Sequence, residues 1–170
     1  SDLEGKEAIK QGENLGRTVI TAWTEDGRGY QSEVITKEIK IDNEKPKINH
    51  TESSNKEKVG IWYKDNVTVE INGEDSHSGI DNYKYKIEGE NTDYIEKNIG
   101  EKLSIIREGT TEIKAKTVDI AGNESEEKTI TIHKDTTNPE IPTIRFKSNT
   151  INSITVEGIG SDNESGIAGY

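Results

Sequence analysis

The segments "IDNEKPK" (41–47) and "KDTTNPE" (134–140) place carboxylate and amide oxygens just ahead of a proline. Ca²⁺ takes oxygen donors of this kind, roughly six to eight at a time, so a junction rich in them could bind the ion and stiffen around it. Asp42 and Asp135 are the first candidate ligands. Asp75 and Asp162, in "EDSHSGI" and "SDNESGI", could add oxygens from neighbouring turns. Thr and Lys dilute both segments. The alternative is a solvated connection stiffened by its proline alone.

Other chemistries find less support. Thirty-three acidic residues make carboxylate pairs inevitable, so a pair says nothing about hydrolysis without geometry. Asp75 and Asp81 flank one turn, but the second copy of that turn has Ala168 in place of Asp81. An acid/base pair is not expected to vanish between copies. His50, His77 and His133 lie in separate segments without zinc-site spacing. There is no cysteine nucleophile and no nucleophile-elbow, phosphate-loop or dinucleotide motif. The expectation is a protein without enzymatic activity and without a cofactor other than Ca²⁺.

A glycan site would use an exposed aromatic face. Trp23 is the candidate, because it follows Ala22, which should point inward. Its counterpart in the next copy is Lys116, so such a site would belong to one copy only. Trp62 reads as a residue closing one end of a core. A Lys–Asn isopeptide crosslink would need a buried lysine, and the lysines fall mostly at outward positions.

A formal net charge of −11, with no basic cluster interleaved with aromatics, argues against nucleic acid as a partner. Only 28% of the 170 residues are hydrophobic, which is thin for one large core. Several small β units need less, because strands facing water on one side spend alternate positions on polar residues. Without cysteine there is no disulfide framework. The absence of Met, position 1 included, is expected of a piece of a longer product. No stretch is long and apolar enough for direct insertion into a membrane as a helix.

The chain repeats itself. Residues 20–48 align without gaps to 113–141 at an offset of 93, with 12 of 29 positions identical. Residues 67–83 align to 154–170 at an offset of 87, with nine of 17 identical. The difference of six falls where "KVGIWYK" precedes the strand in the middle copy. The expected units are therefore the C-terminal part of a repeat over 1–44, a complete repeat over 45–137, and the N-terminal part of a further repeat over 138–170. The two partial units are expected to expose unpaired edges and apolar faces.

A unit of this length suits a seven-stranded sandwich. Within it "PKINH", "NVTVEIN", "IDNYKYKI", "YIEKNI", "KLSIIR", "TEIKAKTVD" and "KTITIH" read as strands. Val67, Val69, Ile71, Tyr83, Tyr85, Ile87, Ile113, Ala115 and Thr117 alternate inward, and no window is a convincing amphipathic helix. In "DSHSGI" the Asp side chain can cap its own turn, and Gly79 can take positive φ. Gly122 and Gly29 hold equivalent places in "DIAGNES" and "DGRGYQS".

A Trp ahead of "NVTVEIN", then "D…SGI…Y.Y.I", then "EGTTEIKAKTVDIAGN" and a closing "DTTNPEIP", together resemble the bacterial immunoglobulin-like repeats of large Gram-positive surface and secreted proteins. The resemblance covers essentially the whole chain, although Tyr30 stands where the "AGN" turn has its Asn. It implies an all-β fold of tandem immunoglobulin-like β-sandwich repeats, one complete and two truncated. The implied function is a non-catalytic spacer or stalk in an extracellular protein, at the cell wall or secreted. A glycan- or ligand-binding accessory module of an adhesin or secreted hydrolase is the alternative. Contact with a surface glycan or host protein would then come through other domains.

Overall fold

The computed structural model describes residues 15–169, and every regular element among them is a β-strand. Two strands come first, β1 (Gly16–Ala22) and β2 (Ile35–Ile41). Eight follow: β3 (Lys47–Ser54), β4 (Trp62–Tyr63), β5 (Val67–Glu74), β6 (Ile80–Ile87), β7 (Ile95–Asn98), β8 (Lys102–Ile105), β9 (Gly109–Asp119) and β10 (Lys128–Lys134). The last two are β11 (Thr143–Asn149) and β12 (Ile154–Ile159). Among the described residues no helix is long and apolar enough to cross a membrane.

The middle eight strands form two layers. One is a five-stranded sheet of order β4-β10-β9-β6-β7, and the other a three-stranded sheet of order β3-β5-β8. Period-two alternation sends Val67, Val69 and Ile71 of β5 and Leu103 and Ile105 of β8 into the same core as Tyr83, Ile113, Ala115, Ile130 and Ile132 of the larger sheet. Burying each of these Val or Ile side chains stabilises the body by about 1.5–3 kcal/mol, so this cluster holds the layers together. Lys84 and Lys86 of β6 and Lys114 and Lys116 of β9 fall on the other face, as the alternation requires.

The structure departs from the sequence reading at several places. It has eight strands in this body, not seven, because Trp62–Tyr63 pairs in parallel with His133 and Lys134 as an edge of the larger sheet. Tyr63, not Trp62, enters the core. Its hydroxyl donates to Glu52 at 2.5 Å, while the half-buried Trp62 ring rests against His133, 5.4 Å between centroids. Lys134 breaks the outward rule for lysines. It is buried, its ammonium donates to the Ile106 carbonyl at 2.8 Å, and it is paired with Glu108. No Asn is among these partners, so the crosslink chemistry considered above is not assembled there.

The flanking strands form two separate two-stranded sheets, β1-β2 and β11-β12. The first has the register of β9 and β10 one copy earlier. Gly16 pairs with Ile41 and Ala22 with Ile35, as Gly109 pairs with Lys134 and Ala115 with Lys128. The turn between them repeats too. Gly29 N–H donates to the Asp26 carbonyl at 3.0 Å and Gly122 N–H to that of Asp119 at 3.1 Å.

Gly73 marks the closest approach of the two layers. A Cβ there would lie 3.0 Å from the Lys47 carbonyl oxygen, from Thr117 Cγ2 and from Ile80 Cδ1. One of these is backbone and cannot turn aside. Gly73→Ala is therefore expected to cost about 1–3 kcal/mol, the range for overpacking, in a urea titration. Unchanged stability would mean that β3 and β9 can part without loss.

Candidate functional site

The candidate site lies where the segment after β2 meets two turns of the eight-stranded body. The first turn, between β5 and β6, carries Asp75. Its Oδ1 accepts the backbone N–H groups of His77, Ser78 and Gly79 at 3.0, 2.8 and 2.9 Å. Gly79 has φ of 83°, which lets the chain fold back over the carboxylate. The second turn, between β9 and β10, carries Asp119. Its Oδ1 accepts the Asn123 N–H and its Oδ2 the Asn123 side-chain amide, both at 2.8 Å. Ile120 N–H donates to the Gly79 carbonyl at 2.9 Å and ties the two turns together.

Asp42 enters from the connecting segment. Its Oδ1 accepts the N–H of Glu44 at 3.1 Å, and its Oδ2 accepts the N–H of Ser78 at 3.0 Å. The Asn123 side-chain amide donates to the Asp42 carbonyl at 3.3 Å. Lys45 pairs with Glu126 at 2.6 Å, and His77 Nδ1 lies 3.3 Å from Glu44. Pro46 is buried at the entrance to β3. The five residues between β2 and β3 are thus held at both ends.

Ligand oxygens of Asp42, Asp75 and Asp119 lie within 4.8 Å of one another, and Asp119 is 1% exposed. The cations around them are committed elsewhere: Lys45 to Glu126, His77 to Glu44, and Arg17 to Glu38 at 2.8 Å. Each carboxylate oxygen that accepts a single N–H keeps a second lone pair. Three converging carboxylates without a basic partner are the donor set a hard divalent cation such as Ca²⁺ takes, and these three residues could hold it.

Hydrogen bonds to an ionised carboxylate favour that form. The Gly79 amide, followed by those of His77 and Ser78, holds Asp75 below its ordinary value of 3.8. Asp42 is also lowered, first by the Ser78 hydroxyl and then by the Glu44 and Ser78 amides, against the opposing charge of Asp75. That hydroxyl is buried beside the carboxylate without a well-aligned hydrogen bond.

Half of this arrangement recurs after β10. Asp135 Oδ1 accepts the Thr137 N–H at 3.0 Å and its Oδ2 the Ser165 N–H at 3.2 Å, matching Asp42 atom for atom. Asp162 Oδ1 accepts the N–H groups of Glu164 and Gly166 at 3.2 and 2.8 Å, in the manner of Asp75. The four sequence candidates therefore fall into two pairs, Asp42 with Asp75 and Asp135 with Asp162.

Asp119 was missed, although its alignment with Asp26 was a signal. Asp26 keeps the same turn, accepting the Tyr30 N–H at 3.0 Å, but is exposed. Trp23 lies just past β1, 51% exposed, and belongs to neither ring pair among the described residues. Tyr94 is covered by Lys86 and Lys116, 5.0 and 5.7 Å above its ring.

No protein-family model and no curated protein matches the chain.

Two outcomes are expected of the site. Ca²⁺ should raise the melting temperature above its value in chelator, and Asp119→Asn should remove the difference. Equal melting of the unsubstituted chain in both would leave the carboxylates as turn caps alone. On acidification, depressed folded-state values mean that Asp42 and Asp75 add stability above the unfolded value and lose it as the pH falls through the folded one. Melting should therefore weaken below about pH 4, the unfolded carboxylate range, and less so in Asp75→Asn. An acid limb that is the same in both would contradict a role for Asp75.

Proposed function

We propose that the chain is a run of tandem immunoglobulin-like β-sandwich repeats, complete over 45–137 and partial over 1–44 and 138–170. Its role is that of a non-catalytic spacer or stalk in an extracellular bacterial surface protein. The observation that carries this reading is the recurrence of one junction. Asp42 accepts from Ser78, and Asp135 accepts from Ser165, with the same carboxylate oxygens in the same order.

A spacer has to transmit position, so its joints matter more than its faces. Five residues can reach no further than about 18 Å when extended, and here their ends are also tied down. A joint of this kind replaces a freely flexing linker by a small set of orientations. The positions shared between copies are core apolars, turn glycines, aspartates and prolines, which serve folding and joints. An exposed binding cluster has no second copy, since Trp23 is replaced by Lys116.

The chain has no cysteine, so introduced pairs can be labelled specifically. Spin labels at Lys37→Cys on β2 and Lys102→Cys on β8 are expected to give a narrow distance distribution that Asp42→Ala broadens. A distribution already broad in the parent pair would sink the rigid-spacer reading.

A further inference from the structure

We infer that copies of this chain associate head to tail, the β11-β12 sheet of one covering the β1-β2 sheet of the next. The eight-stranded body is the template. In it β3 and β5 lie in one layer and β9 and β10 in the other, and Val67 and Val69 share a core with Ile113 and Ile132. The β1-β2 sheet is the counterpart of β9-β10, and β12 is the counterpart of β5 at the offset of 87.

The matching side chains lie open. Ile20 is 39% exposed and Ile39 39%, against 0% for both Ile113 and Ile132. Ile154 is 71% exposed and Val156 55%, against 0% for both Val67 and Val69. Each two-stranded sheet thus presents one half of a core, and the other half is presented at the far end of the sequence. Both faces are open in the same chain, so neither covers the other. A second copy brings the complementary half.

Such a contact joins two different patches, so it does not close on itself, and successive copies extend a row. Counterparts of β6, β7 and β8 are lacking at the contact. Two facing pairs of strands make a small core, and the association is weak and concentration-dependent. This inference rests on packing and does not depend on the spacer reading.

Sedimentation of the 170-residue chain over a concentration series tests it. The average mass is expected to rise without reaching a fixed stoichiometry. Val156→Lys and Ile20→Lys should each restore the monomer mass. The main thermal transition should stay unchanged, because neither residue lies in the eight-stranded body. An equal mixture of the two variants retains one good face of each kind and should stop at dimers. A monomer at every concentration overturns the inference. So do dimers of the parent chain that survive Val156→Lys, which would mean that like faces pair with like.

Discussion

The structure depends most on a carboxylate oxygen of one segment accepting the backbone N–H of a turn in the next. Asp75 organises its own turn by taking three amides on one oxygen, leaving the Ser78 N–H directed between two carboxylates. Asp42 takes the same N–H from outside. A shared donor of this kind has little freedom, so the position of the connecting segment follows from the shape of the turn. Charge-assisted bonds to backbone amides are roughly twice as strong as neutral ones, which suits a joint with few contacts.

The exposed ion pairs cannot play that part. Lys84 and Lys116 both reach Glu124, at 2.7 and 3.3 Å, on the open face of the larger sheet. Pairs of that exposure contribute about 0–1 kcal/mol each and weaken with salt. The eight-stranded body is held by its apolar cluster, and the surface charges keep the sheet faces soluble. Lys134 differs, because a buried ammonium must be paired, and Glu108 and the Ile106 carbonyl satisfy it.

Much of the fold was legible in the sequence because it is local. Alternation in "NVTVEIN" and "TEIKAKTVD" places β5 and β9 and their buried faces, and Gly79 and Gly122 take the positive φ that their turns require. The repeat also pairs the junctions, since constant offsets relate Asp42 to Asp135 and Asp75 to Asp162. What was not legible depends on tertiary approach. Two residues cannot show a period, so β4 left no signal, and only its pairing with β10 reveals it. Tyr63 and Trp62 are adjacent aromatics, and which enters the core is decided by the edge they join. Asp119 sits 77 residues from Asp42 and 44 from Asp75 in the numbering, and only the fold brings the three together.

The most direct measurement is amide hydrogen exchange at Ser78 compared with Gly79. The Ser78 amide is shared between Asp42 and Asp75, whereas that of Gly79 is held by Asp75 alone. In Asp42→Ala the protection of Ser78 should fall while that of Gly79 is kept, and Asp135→Ala should do the same to Ser165 against Gly166. Unchanged protection of Ser78 in Asp42→Ala would contradict a junction held by the linker carboxylate.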